Sequence, residues 1–329
     1  MGYDVFGMCN PLYDIQAEIP EALLEEIGVQ KGGMFLIEEE QQRALVASIY
    51  THIVNSEAGG SGANTMIGVS LLGGKACYTG KIGNDEHGSL YAEGLRAKQV
   101  HYAVPPGVGE TGISVILVTP DAQRTMCTFL GMCRELEPAD VDLEALRASK
   151  YLYITGYLWD TDTQKAAVLH AMRAARAAGV RVALSLSDPF CVHRHKADFL
   201  QIIHEHVDLV FGNHEEAQAL TDTENPYEAI RALAPYCELA AVTMGAHGSL
   251  LREGNQLYEI PAFPVDAVDS TGAGDMYAAG LLYGLTHDLP LEVTGRLASY
   301  LAAQVVAQLG PRLEALDREA IARICANVV

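Results

Sequence analysis

From residue 151 onward the chain alternates two kinds of stretch, and that alternation constrains the fold more than any single motif. Apolar, extended runs at 151–154, 182–185, 208–211 and 239–243 are separated by helical patterns at about 163–178, 196–206, from Glu215 onward and at about 226–234. Gly179 ends the first of these helices, where a left-handed turn suits glycine. Strands separated by whole helices run parallel, and a parallel sheet needs cover on both faces. The expected class is therefore α/β, three layers around a mostly parallel sheet. In such folds ligands gather beyond the C-terminal ends of the strands. At 329 residues the chain can form one such unit, and no internal repeat or low-complexity linker divides it.

Composition removes several function classes. Hydrophobic residues make up 49% of the chain, which supports a large core rather than disorder. The formal net charge is −20, so a nucleic acid partner is not expected, because phosphate-backbone binding needs a basic surface. A small phosphorylated ligand held by backbone amides stays open. No apolar run reaches 18 residues, so no membrane partner or span is expected. The start Met1-Gly2-Tyr3-Asp4-Val5-Phe6 shows neither a secretory pattern nor, with Phe6 in place of Ser or Thr, a myristoylation motif. Seven scattered cysteines without C-x-x-C read as reduced thiols, and a cytoplasmic location is expected. The pairs His193/His195 and His204/His206 lack further ligands at zinc spacing.

The stretch with most chemical content is Asp269-Ser270-Thr271-Gly272-Ala273-Gly274-Asp275, between an extended segment and a helical pattern at about 274–286. Glycines at a helix start let backbone N–H groups converge on one point, where the helix dipole favours negative charge. Asp275 would repel a bound anion unless it has chemistry to perform. Taking a proton from an attacking hydroxyl is such chemistry; stabilising a helix start as a first-turn acid is the alternative. A second glycine cluster, Glu57-Ala58-Gly59-Gly60-Ser61-Gly62-Ala63-Asn64, leads into a helix expected at about 64–72. Elsewhere, extended runs are expected at 3–8, 34–37, 77–79 and 113–118, with a helix at about 39–54. Pro11 stops the first strand, so Asn10 and Asp14 fall at its end, with turn chemistry the alternative for Asp14. Asp85 reads as a helix cap. Gly107 to Gly112 fits G-x-G-x-x-G, but a β-branched run follows it instead of a helix, so no dinucleotide site is expected. Asn213-His214-Glu215-Glu216 follows a strand end; it reads as hard oxygen ligands for Mg²⁺ or as a capped helix. Arg124 follows a turn and reads as a site cation or a surface arginine. A last amphipathic pair begins at Pro290, with Val293, Leu297, Leu301 and Val305 as its buried stripe.

The heptapeptide resembles the signature of the ribokinase-like (PfkB) carbohydrate kinase family. Gly60 and Asn64 resemble its Gly-Gly-x-x-x-Asn motif, Asn213 and Glu216 its Asn-x-x-Glu, and Thr243, Gly245 and Gly248 its Thr-x-Gly-x-x-Gly. Within the family the opening Phe6-Gly7-Met8-Cys9-Asn10-Pro11-Leu12-Tyr13-Asp14-Ile15 is most similar to adenosine kinases. The resemblance implies a ribokinase-like kinase spanning 1–329 with a small β lid at roughly 11–50 and 101–130. It implies Asp275 as catalytic base, Gly272, Ala273 and Gly274 as the anion hole, and Arg124 on the transferred phosphate. Asn10, Asp14, Gly60 and Asn64 would hold the acceptor, with Met126, Leu130 and Leu158 as apolar walls. Asn213, Thr243, Gly245 and Gly248 would serve ATP, and Glu216 would act on Mg²⁺ through water. The implied reaction is ATP-dependent phosphorylation of a purine nucleoside 5′-hydroxyl. A sugar kinase and a non-catalytic nucleotide-binding protein are the alternatives. Leu158 stands where many adenosine kinases have an aromatic, which leaves the base open. Gly310-Pro311-Arg312 departs from the family's Gly-Ala-x-Pro, which leaves K⁺ open as a further cofactor. Monomer and homodimer both fit.

Overall fold

The computed structural model describes residues 2–121 and 123–326. Its strands run β1 Tyr3–Met8, β2 Leu12–Glu18, β3 Met34–Leu36, β4 Ile53–Gly59, β5 Ala76–Thr79, β6 His101–Tyr102, β7 Gly112–Val118 and β8 Arg124–Phe129. They continue as β9 Ser149–Thr155, β10 Arg181–Ser185, β11 Leu209–Asn213, β12 Leu239–Thr243, β13 Ser249–Glu253 and β14 Gln256–Ile260. Nine of them form one sheet in the order β14-β13-β12-β11-β10-β9-β1-β5-β6. It is parallel from β12 to β6, and β13 and β14 add an antiparallel edge. The expected α/β architecture, with its mostly parallel sheet, is what the chain adopts.

Alternation along the central strands explains the three layers. On β9, Tyr151 and Tyr153 point into the core on one face, while Leu152 and Ile154 join the core on the other. The first core packs the helices Ser61–Leu72, Ala273–Thr286 and Leu291–Val306; the stripe Val293, Leu297, Leu301 and Val305 is buried in it. The second packs the helices Asp162–Ala178, Pro189–His206 and Pro226–Ala232. No helix among the described residues is long and apolar enough to cross a membrane.

The remaining five strands make a second sheet, β3-β8-β7-β2-β4. Here the local expectations need correction. The helix expected over 39–54 ends at Ile49; Tyr50–His52 is a 3-10 turn, and Ile53–Gly59 is the strand β4, paired antiparallel with β2. Thr51, Ile53 and Val54 are β-branched, which favours the strand, and β2 supplies the partner. Pro11 does stop β1, but the chain restarts at once as β2 in the other sheet. The helix expected from Asn64 begins at Ser61, with Gly60 as its N-cap residue. The helix Glu21–Ile27 and the hairpin of β13 and β14 gave no periodic signal that the sequence reading used.

Candidate active site

The Asp269–Gly274 loop is tied to the turn after the Leu291–Val306 helix. The Asp269 carboxylate accepts hydrogen bonds from the amides of Thr271 (3.0 Å) and Gly310 (2.9 Å). Gly272 is the N-cap residue of the next helix at φ 76°. A Cβ there would lie 2.1 Å from the Pro311 carbonyl oxygen, so conformation and space both demand glycine. The Ala273 N–H, expected in the anion hole, donates instead to the Ser270 carbonyl (3.2 Å). The turn that starts the helix claims it. The amides of Gly272, Gly274 and Asp275 have no protein acceptor among the described residues.

Asp275 occupies the first turn of this helix, and its two oxygens are held from a distant part of the chain. Ser61 Oγ donates to Oδ1 at 2.6 Å, and Asn64 Nδ2 donates to Oδ2 at 3.0 Å. Both donors sit in the first turn of Ser61–Leu72. The Asn64 Oδ1 is buried without a partner. Burial pushes the Asp275 pKa up, against the two hydrogen bonds and the charge of Arg312. Two helix starts therefore meet here, and a carboxylate stands between them.

The second sheet supplies the facing surface. Its register aligns Glu57, Asp14, Ser114, Thr128 and Leu36 in one row, and Gln16, Ile116, Met126 and Met34 in the next. Paired residues share a face, so these rows lie on the same side. Met34 and Leu36 are 51% and 59% exposed, large values for apolar side chains, while Met126 and Leu130 are half-buried. Burial pushes the Asp14 carboxyl up to about 7; Arg312 and Arg124 oppose that, while Glu57 and Asp275 add to it. The Gly59 Cα rests against Asp14, since a Cβ would fall 2.0 Å from its Oδ2. Arg124 reaches the Asp269–Gly274 loop from β8: Nη1 donates to Thr271 Oγ1 at 3.1 Å, and Nη2 lies 2.6 Å from Asp269 Oδ2. Nη2 is misaligned for a directed hydrogen bond, so that contact is an ion pair.

Two expected acceptor residues sit elsewhere in the packing. Leu158 is fully buried in the second core, so it cannot wall an open site. The 3-10 turn Gly156–Trp159 points it inward with Trp159. Asn10 is 6% exposed; its Oδ1 accepts from Gln164 Nε2 at 2.7 Å, and its Nδ2 donates to the Tyr157 carbonyl at 3.5 Å.

On the other side of Gly274 a cavity of ≈ 600 Å³ opens. Thr243, Gly245 and Gly248 line it with Ser270, Ala273 and Gly274, and Phe263, Val265, Tyr277 and Val306 give it apolar walls. That size and lining suit a purine nucleotide with its phosphates toward the helix start. Asn213 and Glu216 do not line this cavity. They form a reciprocal cap at the start of His214–Thr221: Asn213 Oδ1 accepts from the Glu216 amide (2.9 Å), while Glu216 accepts from the Asn213 amide (3.0 Å) and Nδ2 (2.6 Å). Burial raises the Glu216 pKa to about 7. No group of three His, Cys, Asp or Glu able to hold a metal occurs among the described residues. The oxygen atoms of Glu216 and Asn213 are hard donors of the type that Mg²⁺ takes.

The sequence reading missed Ser61 and Arg312. Ser61 sits one residue beyond Gly60, where a helix-start hydroxyl is a visible signal; Arg312 became visible only through tertiary contacts.

Residues 34–317 match the pfkB family of carbohydrate kinases. The structure superposes on an adenosine kinase from Sinorhizobium meliloti with a TM-score of 0.88 at 40% identity, covering 98% of this chain and 99% of that one. It superposes on a probable sugar kinase from Rhizobium etli CFN 42 with a TM-score of 0.90 at 37% identity, covering 98% of each. In sequence it is 30% identical over 244 residues to the probable chloroplastic fructokinase-6 of Arabidopsis thaliana, covering 71% of this chain and 63% of that protein.

Proposed function

The chain belongs to the pfkB family of carbohydrate kinases and is a phosphotransferase with an alcohol acceptor, and we propose that this alcohol is the 5′-hydroxyl of a purine nucleoside, adenosine, with ATP as donor. One observation carries the reading: the Asp275 carboxylate is held by Ser61 and Asn64 at a helix start that borders a nucleotide-sized cavity. In this reading Asp275 takes the hydroxyl proton as the oxygen attacks the γ-phosphorus, and the bond from that phosphorus to the ADP oxygen breaks. The amides of Gly272 and Gly274, with Arg124, balance the charge that develops. Mg²⁺, where bound, would neutralise phosphate charge, with Glu216 and Asn213 orienting its water.

The second sheet is the lid in this reading. It is built from more of the chain than 11–50 and 101–130, because β4 lies outside those stretches. Asp14 would receive the ribose hydroxyls, and the exposed Met34 and Leu36, with Met126, would face the base. Similarity at 40% identity to the Sinorhizobium adenosine kinase supports a nucleoside, while the equally complete match to the Rhizobium probable sugar kinase makes sugars the acceptors to test against it.

A coupled assay of ADP release with adenosine, inosine, ribose and fructose, with and without K⁺, tests this. Adenosine is expected to give the highest kcat/KM. Preference for ribose or fructose would make the chain a sugar kinase, and no turnover with any acceptor would leave a nucleotide-binding protein.

A further inference from the structure

Arg312 lies in the turn after the Leu291–Val306 helix and is 6% exposed. A guanidinium so deep is tolerated only where its charge is matched. Its Nη2 pairs with the Glu57 carboxylate, and its Nη1 donates to the Ala58 carbonyl; both belong to β4. Its Nε is buried without a partner. Glu57 stands directly opposite Asp14 across the antiparallel pair of β4 and β2. Two carboxylates in that relation repel, and the strand pair is weakened unless a cation lies beside them.

Four charged groups act on Asp14: Glu57 from β4, Asp275 from the first turn of Ala273–Thr286, Arg124 from β8 and Arg312 from the C-terminal turn. Two are anions. Of the two cations, Arg124 is already paired with Asp269 and bonded to Thr271. Arg312 has the stronger favourable effect on Asp14 and also favours the charged form of Asp275. The same turn touches the base-bearing loop, through the Gly310 amide on Asp269 and the Pro311 carbonyl against Gly272. Gln308 Nε2 donates to the Arg312 carbonyl at 2.6 Å and fixes the turn.

We propose that Arg312 is a positioning residue of the phosphoryl-transfer site, which supplies the counter-charge that lets Asp14 receive the acceptor's hydroxyls and joins β4 to the loop carrying the base. This rests on the reading of Asp14 as an acceptor ligand. An ionised Asp14 offers both oxygens as charged acceptors to the two hydroxyls of a diol, whereas a protonated one turns one oxygen into a donor. Its pKa is already raised to about 7 with Arg312 in place, so loss of that charge leaves more of it protonated near neutrality.

The test compares Arg312→Gln and Arg312→Lys with the unaltered chain in two measurements. In the pH profile of kcat/KM for the acceptor, the acidic limb of Arg312→Gln should move up by about one pH unit. Near pH 7 the acceptor KM should then rise about fivefold, with a smaller change in kcat. Arg312→Lys should restore the limb. The second measurement needs no turnover: carbon-13 NMR of the Asp14 carboxyl, assigned by its loss in Asp14→Asn, should show the same upward movement. Glu57→Gln should move it down, and gives a reading even if Arg312→Gln fails to fold. A purely structural Arg312 would lower Tm while leaving the limb and the Asp14 titration in place, and that result overturns the proposal. If no acceptor turns over, the nucleoside reading falls while the NMR comparison still decides the link between Arg312 and Asp14.

Discussion

Asp275 and Glu216 both lie in the first turn of a helix, and burial raises the pKa of both. They are held in opposite ways. Glu216 closes a reciprocal cap with Asn213, three residues away, so its partners arrive with its own helix. Asp275 is held by Ser61 and Asn64, 214 and 211 residues away, and its helix starts without a side-chain cap. A locally satisfied carboxylate is explained by helix stability. A carboxylate whose partners come from across the fold is not explained by the helix that carries it, and in the proposed reading its position serves proton transfer.

The largest test of that contrast is Asp275→Asn. If Asp275 is the base, kcat should fall by roughly 10²–10⁴-fold. Tm should stay near that of the unaltered chain, because the amide fills the same space and can still accept from one donor. Coupled turnover with adenosine and thermal unfolding read the two effects. Near-normal turnover would erase the distinction between the two carboxylates.

Ser61→Ala sharpens it at the next scale. A hydrogen bond to a charged group contributes about 1.5–3 kcal/mol, so kcat should fall by roughly 10- to 100-fold. The Ser61–Leu72 helix is capped at Gly60 without a side-chain bond, so the helix should persist and any fall in Tm reports the lost bond to Asp275. A loss confined to Tm would mean that Ser61 only secures the fold.

What could be read from the sequence follows the same division between local and distant causes. The strand and helix alternation after residue 151 was legible because each element carries its own period; Leu239–Thr243 has the bounds expected of it. The start of the Ala273–Thr286 helix was legible because glycines and an acid mark it locally. The strand Ile53–Gly59 was not, because its partner β2 decides it against a preceding helical pattern. Leu158 is a similar case. The family resemblance placed it as an apolar wall of the acceptor site, but only the packing of two helices against β9 and β10 shows that it faces the core. Arg312 was illegible for the strongest reason: its partners Glu57 and Ala58 lie some 250 positions away, and no spacing rule reaches them.

The smallest expected effect concerns Glu216. In Glu216→Gln the side chain can still accept from Asn213, so the cap should persist. Turnover should change by at most a few-fold if the residue acts on Mg²⁺ only through water. Stability should respond in its pH dependence. Burial raises Glu216 in the folded chain to about 7 from its ordinary value of 4.5. The folded chain therefore binds more protons than the unfolded one between those values, and stability falls as pH rises through that window. Glutamine cannot ionise, so unfolding free energy from denaturant titrations should decline less steeply between about pH 4.5 and 7. Some slope should remain, because Asp14 and Asp275 are also raised. A drop in Mg²⁺-dependent turnover as large as that of Asp275→Asn would instead make Glu216 a direct participant. The local cap would then be a resting arrangement that opens when nucleotide arrives, and the two carboxylates would differ in timing rather than in kind.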